Sequence, residues 1–157
     1  MLKRLRAGVH QMPTRTAAGA YILHSGLDKL GADGDRAKGV HGMASEVYPF
    51  AADMEPEQFV RLLALAEIGI GAALLLPFIP DRLAGLPLAA FGGGLVGLYL
   101  RTPSLHKEGS IWPTQQGTAV SKDVWLLGMG LSLLLTPSTR RAKTRAAKAA
   151  LKQAKAA

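Results

Sequence analysis

The chain contains no cysteine. That excludes disulfides, thiolate metal sites, cysteine-held iron–sulfur clusters and any dithiol relay built from these residues alone. Aromatic residues make up only 6% of the sequence although 48% of it is hydrophobic, so the apolar content comes from Leu, Ala, Ile and Val. Histidine is sparse and scattered. His10, His24, His41 and His106 show no HExxH-type spacing that would set two of them on one helix face beside a carboxylate, and no metal site is expected. Other reactive patterns are missing too. Ser25-Gly26 lacks the glycine frame of a nucleophile elbow, and Gly92-Gly93-Gly94 lacks the lysine and following helix of a phosphate loop. The start of the chain is basic, but His24, Asp28 and Lys29 interrupt the stretch that a signal peptide would need.

Acidic residues are also in short supply, 11 against 19 Lys and Arg, leaving a formal charge of +8. Its placement argues against nucleic acid as a partner. Lys3, Arg4 and Arg6 lie at one end, and Arg140, Arg141, Lys143, Arg145, Lys148, Lys152 and Lys155 lie at the other. Basic ends flanking apolar segments are what the positive-inside bias produces, and no base-reading element accompanies them.

The apolar residues fall in blocks rather than stripes. Residues 59–79 are interrupted only by Arg61 and Glu67, and they follow Glu55-Pro56, which suits a helix start. Residues 83–100 form the next block, and the turn Pro80-Asp81-Arg82 joins the two into a hairpin. Each block is long enough to cross a hydrocarbon core of ~30 Å. Pro87 and the glycine run are tolerated in such a span, where small residues let neighbouring backbones approach. Residues 16–30 and 119–136 are shorter and carry charge at one end. They read either as two further spans or as buried or interfacial helices. Charge favours spans: Asp33, Asp35, Glu46, Asp53, Glu55 and Glu57 face only Arg36 and Lys38 between residues 31 and 57. Four crossings put this acidic segment outside and both basic ends in the cytoplasm.

The expected fold is therefore all-α: an integral membrane four-helix bundle with a short outer interfacial helix and a basic cytoplasmic tail. Residues 1–14 form a basic N-terminus, 15–136 the bundle, and 137–157 a tail that meets anionic lipid. Ala37, Val40, Ala44, Val47 and Tyr48 recur at helical spacing and mark the outer helix, which Pro49 stops. Trp112 and Trp125 mark one membrane interface.

Charge within the spans is the informative feature, because burying it in hydrocarbon costs at least ~2.5–3.5 kcal/mol. Glu67 is the deepest, and Lys29, Arg101 and Lys122 are the cations within reach of it. His24 and Asp28 stand four apart on one helix face, and Asp123 adjoins Lys122. His24, Asp28, Lys29, Glu67, Arg101, Lys122 and Asp123 make a candidate polar pocket at the outer half of the bundle. It reads either as a site for a quinone head, a lipid head or a proton, or as an ion-pair network that fixes helix packing.

These residues resemble the DoxX-like family, in an actinobacterial type of branch. The likeness rests on AGAYILHSGLDKL at residues 18–30, AEIGIGAALLLPFIP at 66–80 and KDVWLLGMGLSLLL at 122–135, with the intervening loop LYLRTPSLHKEGSIWPTQQGTAVSKD. It covers roughly residues 15–136. The resemblance implies a four-helix bundle in the plasma membrane, a link to quinone-dependent or redox-stress complexes, quinone as the cofactor and a membrane-complex protein as the partner. It supplies no catalytic residue. The leading expectation is a non-catalytic accessory or scaffold subunit rather than an enzyme. The alternatives are a quinone-binding oxidoreductase subunit and a small proton-coupled transporter.

Overall fold

A computed structural model describes residues 9–136; both basic ends, and with them the proposed contact of the tail with anionic lipid, lie outside the described residues. A short 3-10 turn, Val9–Gln11, leads into α1, Met12–Leu30. Then come α2, Gly34–Ser45, and a one-turn α3, Pro49–Ala52. The long α4, Pro56–Leu75, and α5, Asp81–Arg101, follow, then a 3-10 turn Pro103–Leu105, the one-turn α6, Thr118–Ser121, and α7, Val124–Leu135. Among the described residues all regular structure is helical, apart from one isolated bridge between His106 and Pro113.

Among the described residues three segments are long and apolar enough to cross a membrane: Pro56–Leu75, Asp81–Arg101 and Thr118–Leu135. Helix α1 has 19 residues, yet its charged ends set it apart from these three. Many large apolar side chains face outward, among them Leu62 and Leu65 on α4, Leu83 and Leu86 on α5, and Trp125 and Leu135 on α7. In water such a surface would be a liability; against lipid it is the lowest-energy arrangement.

Local chemistry sets the helix bounds. Pro56 occupies the first turn of α4, where its missing N–H costs nothing, and Glu57 sits at the positive helix end. The apolar run expected to span 59–79 ends as a helix at Leu75, because Leu76 precedes Pro77 and the chain turns extended there. The last apolar block is broken at Lys122 and Asp123 into α6 and α7. The outer helix expected to run through Val47 and Tyr48 up to Pro49 closes earlier, at Ser45, and Pro49 instead stands in the first turn of α3. The side chain of Asp33 caps α2 by accepting the Arg36 N–H at 2.9 Å.

The helices assemble as two antiparallel pairs, α1 with α4 and α5 with α7. Glycine permits both contacts. A Cβ on Gly71 of α4 would lie 2.7 Å from the Leu23 backbone nitrogen of α1, and one on Gly92 of α5 would lie 2.5 Å from the Leu127 nitrogen of α7. The two backbones therefore touch where a side chain would hold them apart. The pairs share a core of Ala18, Ile22, Ile70, Leu74, Leu88 and Leu133, with Leu126 at its edge. A second cluster, built on Ala44, Ala51, Leu98, Tyr99 and Leu105, seats α2, α3 and the 103–105 turn across one end.

Candidate functional site

At one end the two pairs are stapled together. Arg15 enters from the first turn of α1 and is fully buried. Its Nε donates to Leu74 O at 2.8 Å, and Nη2 donates to Ala73 O at 2.9 Å and Leu76 O at 3.0 Å. Nη1 donates to Ile79 O at 2.8 Å and Asp81 Oδ1 at 2.9 Å. A guanidinium has five N–H donors, and all are used. Four of the acceptors are carbonyls in or just beyond the last turn of α4, where a helix leaves such groups unpaired and carries its negative dipole end. Asp81 begins α5, so the same side chain ties α1, α4 and α5. Gln11 adds a bond to Thr136 Oγ1 at 3.2 Å, and Arg82 donates to Thr136 O at 3.1 Å, which brings in the end of α7.

Toward the other end the pairs diverge and leave a cavity of about 720 Å³ between them. Ile22 and Ser25 of α1, Leu63 and Glu67 of α4, Phe91 and Leu95 of α5, and Asp123 and Leu126 beside and on α7 contribute to its wall. Helices α2 and α3 cover it, with Val40, Met43, Tyr48 and Phe50 facing the space. The cover is fastened on both sides. Tyr48 donates its hydroxyl to Gly94 O on α5 at 2.6 Å, while His41 Nε2 lies 2.8 Å from Ala51 O and packs edge-on against Phe59 of α4. The outer helix expected to float at the interface is therefore a lid: Ala37 and Ala44 are buried and Val40 looks into the cavity.

The cavity is apolar except for one polar corner. Lys29 Nζ donates to Glu67 Oε2 at 2.9 Å and to Ser25 Oγ at 2.7 Å. Glu67 is 4% exposed, so its charge depends on this partner. Asp123, at the start of α7, faces the same space from the opposite pair. Of the seven residues expected to form a pocket, the structure gathers Lys29, Glu67 and Asp123 at the cavity. It leaves the other four outside. His24, Arg101 and Lys122 are exposed, and none of them lines the cavity. Asp28 is exposed and pairs with Arg36 on α2 rather than with His24. The carboxylate beside it holds the Arg36 guanidinium above its ordinary pKa.

Ser25, Tyr48 and the Arg15–Asp81 staple were not foreseen as parts of this arrangement. Arg15 reads in the sequence as one more basic residue of a cytoplasmic end. The signal that could have singled it out is its distance from that end, directly against the apolar segment that begins at residue 16. The three adjacent glycines of α5 have separate roles. Gly92 lets α7 approach, Gly94 offers its carbonyl to Tyr48 and its open side to the cavity, and Gly93 meets no more than the tip of Leu127.

No protein-family model, curated protein or solved structure matches the chain.

Proposed function

We propose that this protein is a multi-pass membrane component whose two helix pairs hold open a cavity for a lipophilic molecule with a polar head, and that it acts as a non-catalytic accessory subunit. The cavity carries the reading. Its volume falls within the range of roughly 300–1,000 Å³ that small-molecule sites occupy, its wall is apolar, and its few polar groups converge at one corner. A molecule drawn from the bilayer would place its chain among Leu63, Phe91 and Leu95 and its head near Ser25, Lys29, Glu67 and Asp123. Helix α1 serves as a fourth crossing in this reading, since Tyr21 and Leu27 on it are more than half exposed. With four crossings both ends lie in the cytoplasm, and the lid and the 102–117 loop lie outside. The accessory role rests on the DoxX-like resemblance.

A second reading has one specific observation behind it. Lys29 and Ser25 are hydrogen-bond donors at the polar corner, and a quinone carbonyl is the acceptor they would suit. The experiment for both is mass spectrometry of the tagged chain extracted in native lipid discs. The accessory reading predicts a stoichiometric larger membrane protein and a lipophilic molecule released on denaturation. Recovery of the chain alone would overturn the accessory role, and absence of any retained lipophile would overturn the cavity's role.

A further inference from the structure

The cavity's lining is specific about the head it would accept. The charged side chains in its wall are Lys29, Glu67 and Asp123, one cation against two carboxylates. Lys29 and Glu67 neutralise each other at 2.9 Å. The Asp123 carboxylate is engaged by no hydrogen bond and no ion pair among the described residues, and it does not cap its own helix. A partly buried carboxylate with no partner is relieved either by taking up a proton or by a cation that joins it, and the second leaves room for a ligand. Lys122, its neighbour in sequence, is exposed and does not line the cavity.

A second observation, independent of charge, points the same way. The chain has only two Trp, three Tyr and four Phe, yet five of those nine rings, Tyr21, Tyr48, Phe50, Phe59 and Phe91, line this one cavity. They come from α1, from the lid, from α4 and from α5. A wall that combines aromatic rings with an acidic group suits an alkylated ammonium, whose diffuse charge is attracted by the ring quadrupole and which needs no hydrogen-bond acceptor. An anionic head would instead meet two carboxylates, and a neutral one would leave the wall's excess of one acidic group without a counter-charge.

We infer that the cavity takes a lipophilic cation, an amine or quaternary ammonium on a single alkyl chain, with its head between Asp123 and the aromatic side chains of the wall. This rests on the cavity's role as a ligand site and names the ligand class. The test compares three probes of equal chain length on the full chain in lipid nanodiscs, with empty discs subtracted: decyltrimethylammonium, decylubiquinone and decanoate. Decyltrimethylammonium should bind at least about tenfold more tightly than either of the others. In Asp123→Asn that preference should shrink to about twofold or less. Equal or tighter binding of decylubiquinone would overturn the cationic head while leaving the cavity as a site. Binding of none of the three would overturn the cavity as a site altogether. A preference unchanged in Asp123→Asn would remove Asp123 as the recognising group. Should that variant fail to fold, the ranking of the three probes on the unaltered chain still decides the ligand class.

Discussion

Replacing Arg15 should damage this protein more than replacing any charge on its surface. The side chain is fully buried and spends all five of its donors on four backbone carbonyls and Asp81. In Arg15→Met the Asp81 carboxylate loses its guanidinium, and the carbonyls of Ala73, Leu74, Leu76 and Ile79 lose their donors. Breaking a buried pair by removing one partner costs about 3–5 kcal/mol. The separate hydrogen bonds do not add to that figure in full, since water near the membrane surface can reach some of the carbonyls. The expected loss is therefore about 3–5 kcal/mol, large against the stability of a small domain. Arg15→Lys should recover less than half of it, because an ammonium has three donors and no planar fork. Arg15→Met with Asp81→Leu should be less harmful than the two single losses combined, by about 1–3 kcal/mol, since the pair is one interaction. The assay is reversible unfolding in mixed micelles by added dodecyl sulfate, followed by circular dichroism. A loss under about 1 kcal/mol for Arg15→Met would refute the staple.

Glu67→Gln should destabilise the chain by about 3 kcal/mol in the same assay, because Lys29 is left as a largely buried cation without its partner; a change near zero would mean that the pair is not formed in the membrane. Gly71→Leu should separate α1 from α4 and cost more than the roughly 1–3 kcal/mol of ordinary overpacking, since the group it strikes is the Leu23 backbone. Gly94→Leu, by contrast, should be neutral or slightly stabilising, because a Cβ there meets nothing within 4 Å and leucine favours a helix over glycine by about 1 kcal/mol. Unfolding curves of these two variants check the contrast. For topology, the absence of native cysteine lets single cysteines at Asp35, Thr114 and Lys148 be labelled from either side; the four-crossing reading expects Asp35 and Thr114 on one face and Lys148 on the other, and Asp35 sharing a face with Lys148 would sink it.

Much of the helical framework was legible because hydrocarbon-length apolar runs have few alternatives. Residues 59–79 and 83–100 take in most of α4 and most of α5, and Pro56 stands where a first-turn proline belongs. Hydropathy could not find the end of α4, since Leu76, Pro77, Phe78 and Ile79 are as apolar as the helix before them; backbone sterics, not polarity, end it. That Glu67 needs a cation was legible from the cost of its burial, but three cations stood at about the right depth. Helix register chose Lys29, one turn from Ser25 and facing α4, over Arg101 and Lys122, which face outward. The lid was half legible. The spacing of Ala37, Val40 and Ala44 announced an amphipathic helix, but a helix lying on lipid and one lying on a cavity share that pattern. Arg15 was hidden by its basic neighbours. What distinguishes it is a set of backbone carbonyls more than fifty residues away, and a single sequence carries no sign of such a partner.

The central claim, that the space between the helix pairs is a ligand site, is tested most directly by filling it. Gly94 lines the cavity and a Cβ added there meets no atom within 4 Å, so Gly94→Leu adds its side chain to that space. The measurement is the amount of lipophilic material retained per chain after extraction in native lipid discs, wild type against Gly94→Leu, with bulk phospholipid subtracted. If the claim is right, the wild type retains a discrete lipophilic molecule near one per chain and the variant, equally well folded, loses most of it. Equal retention by both, or none by either, would contradict it.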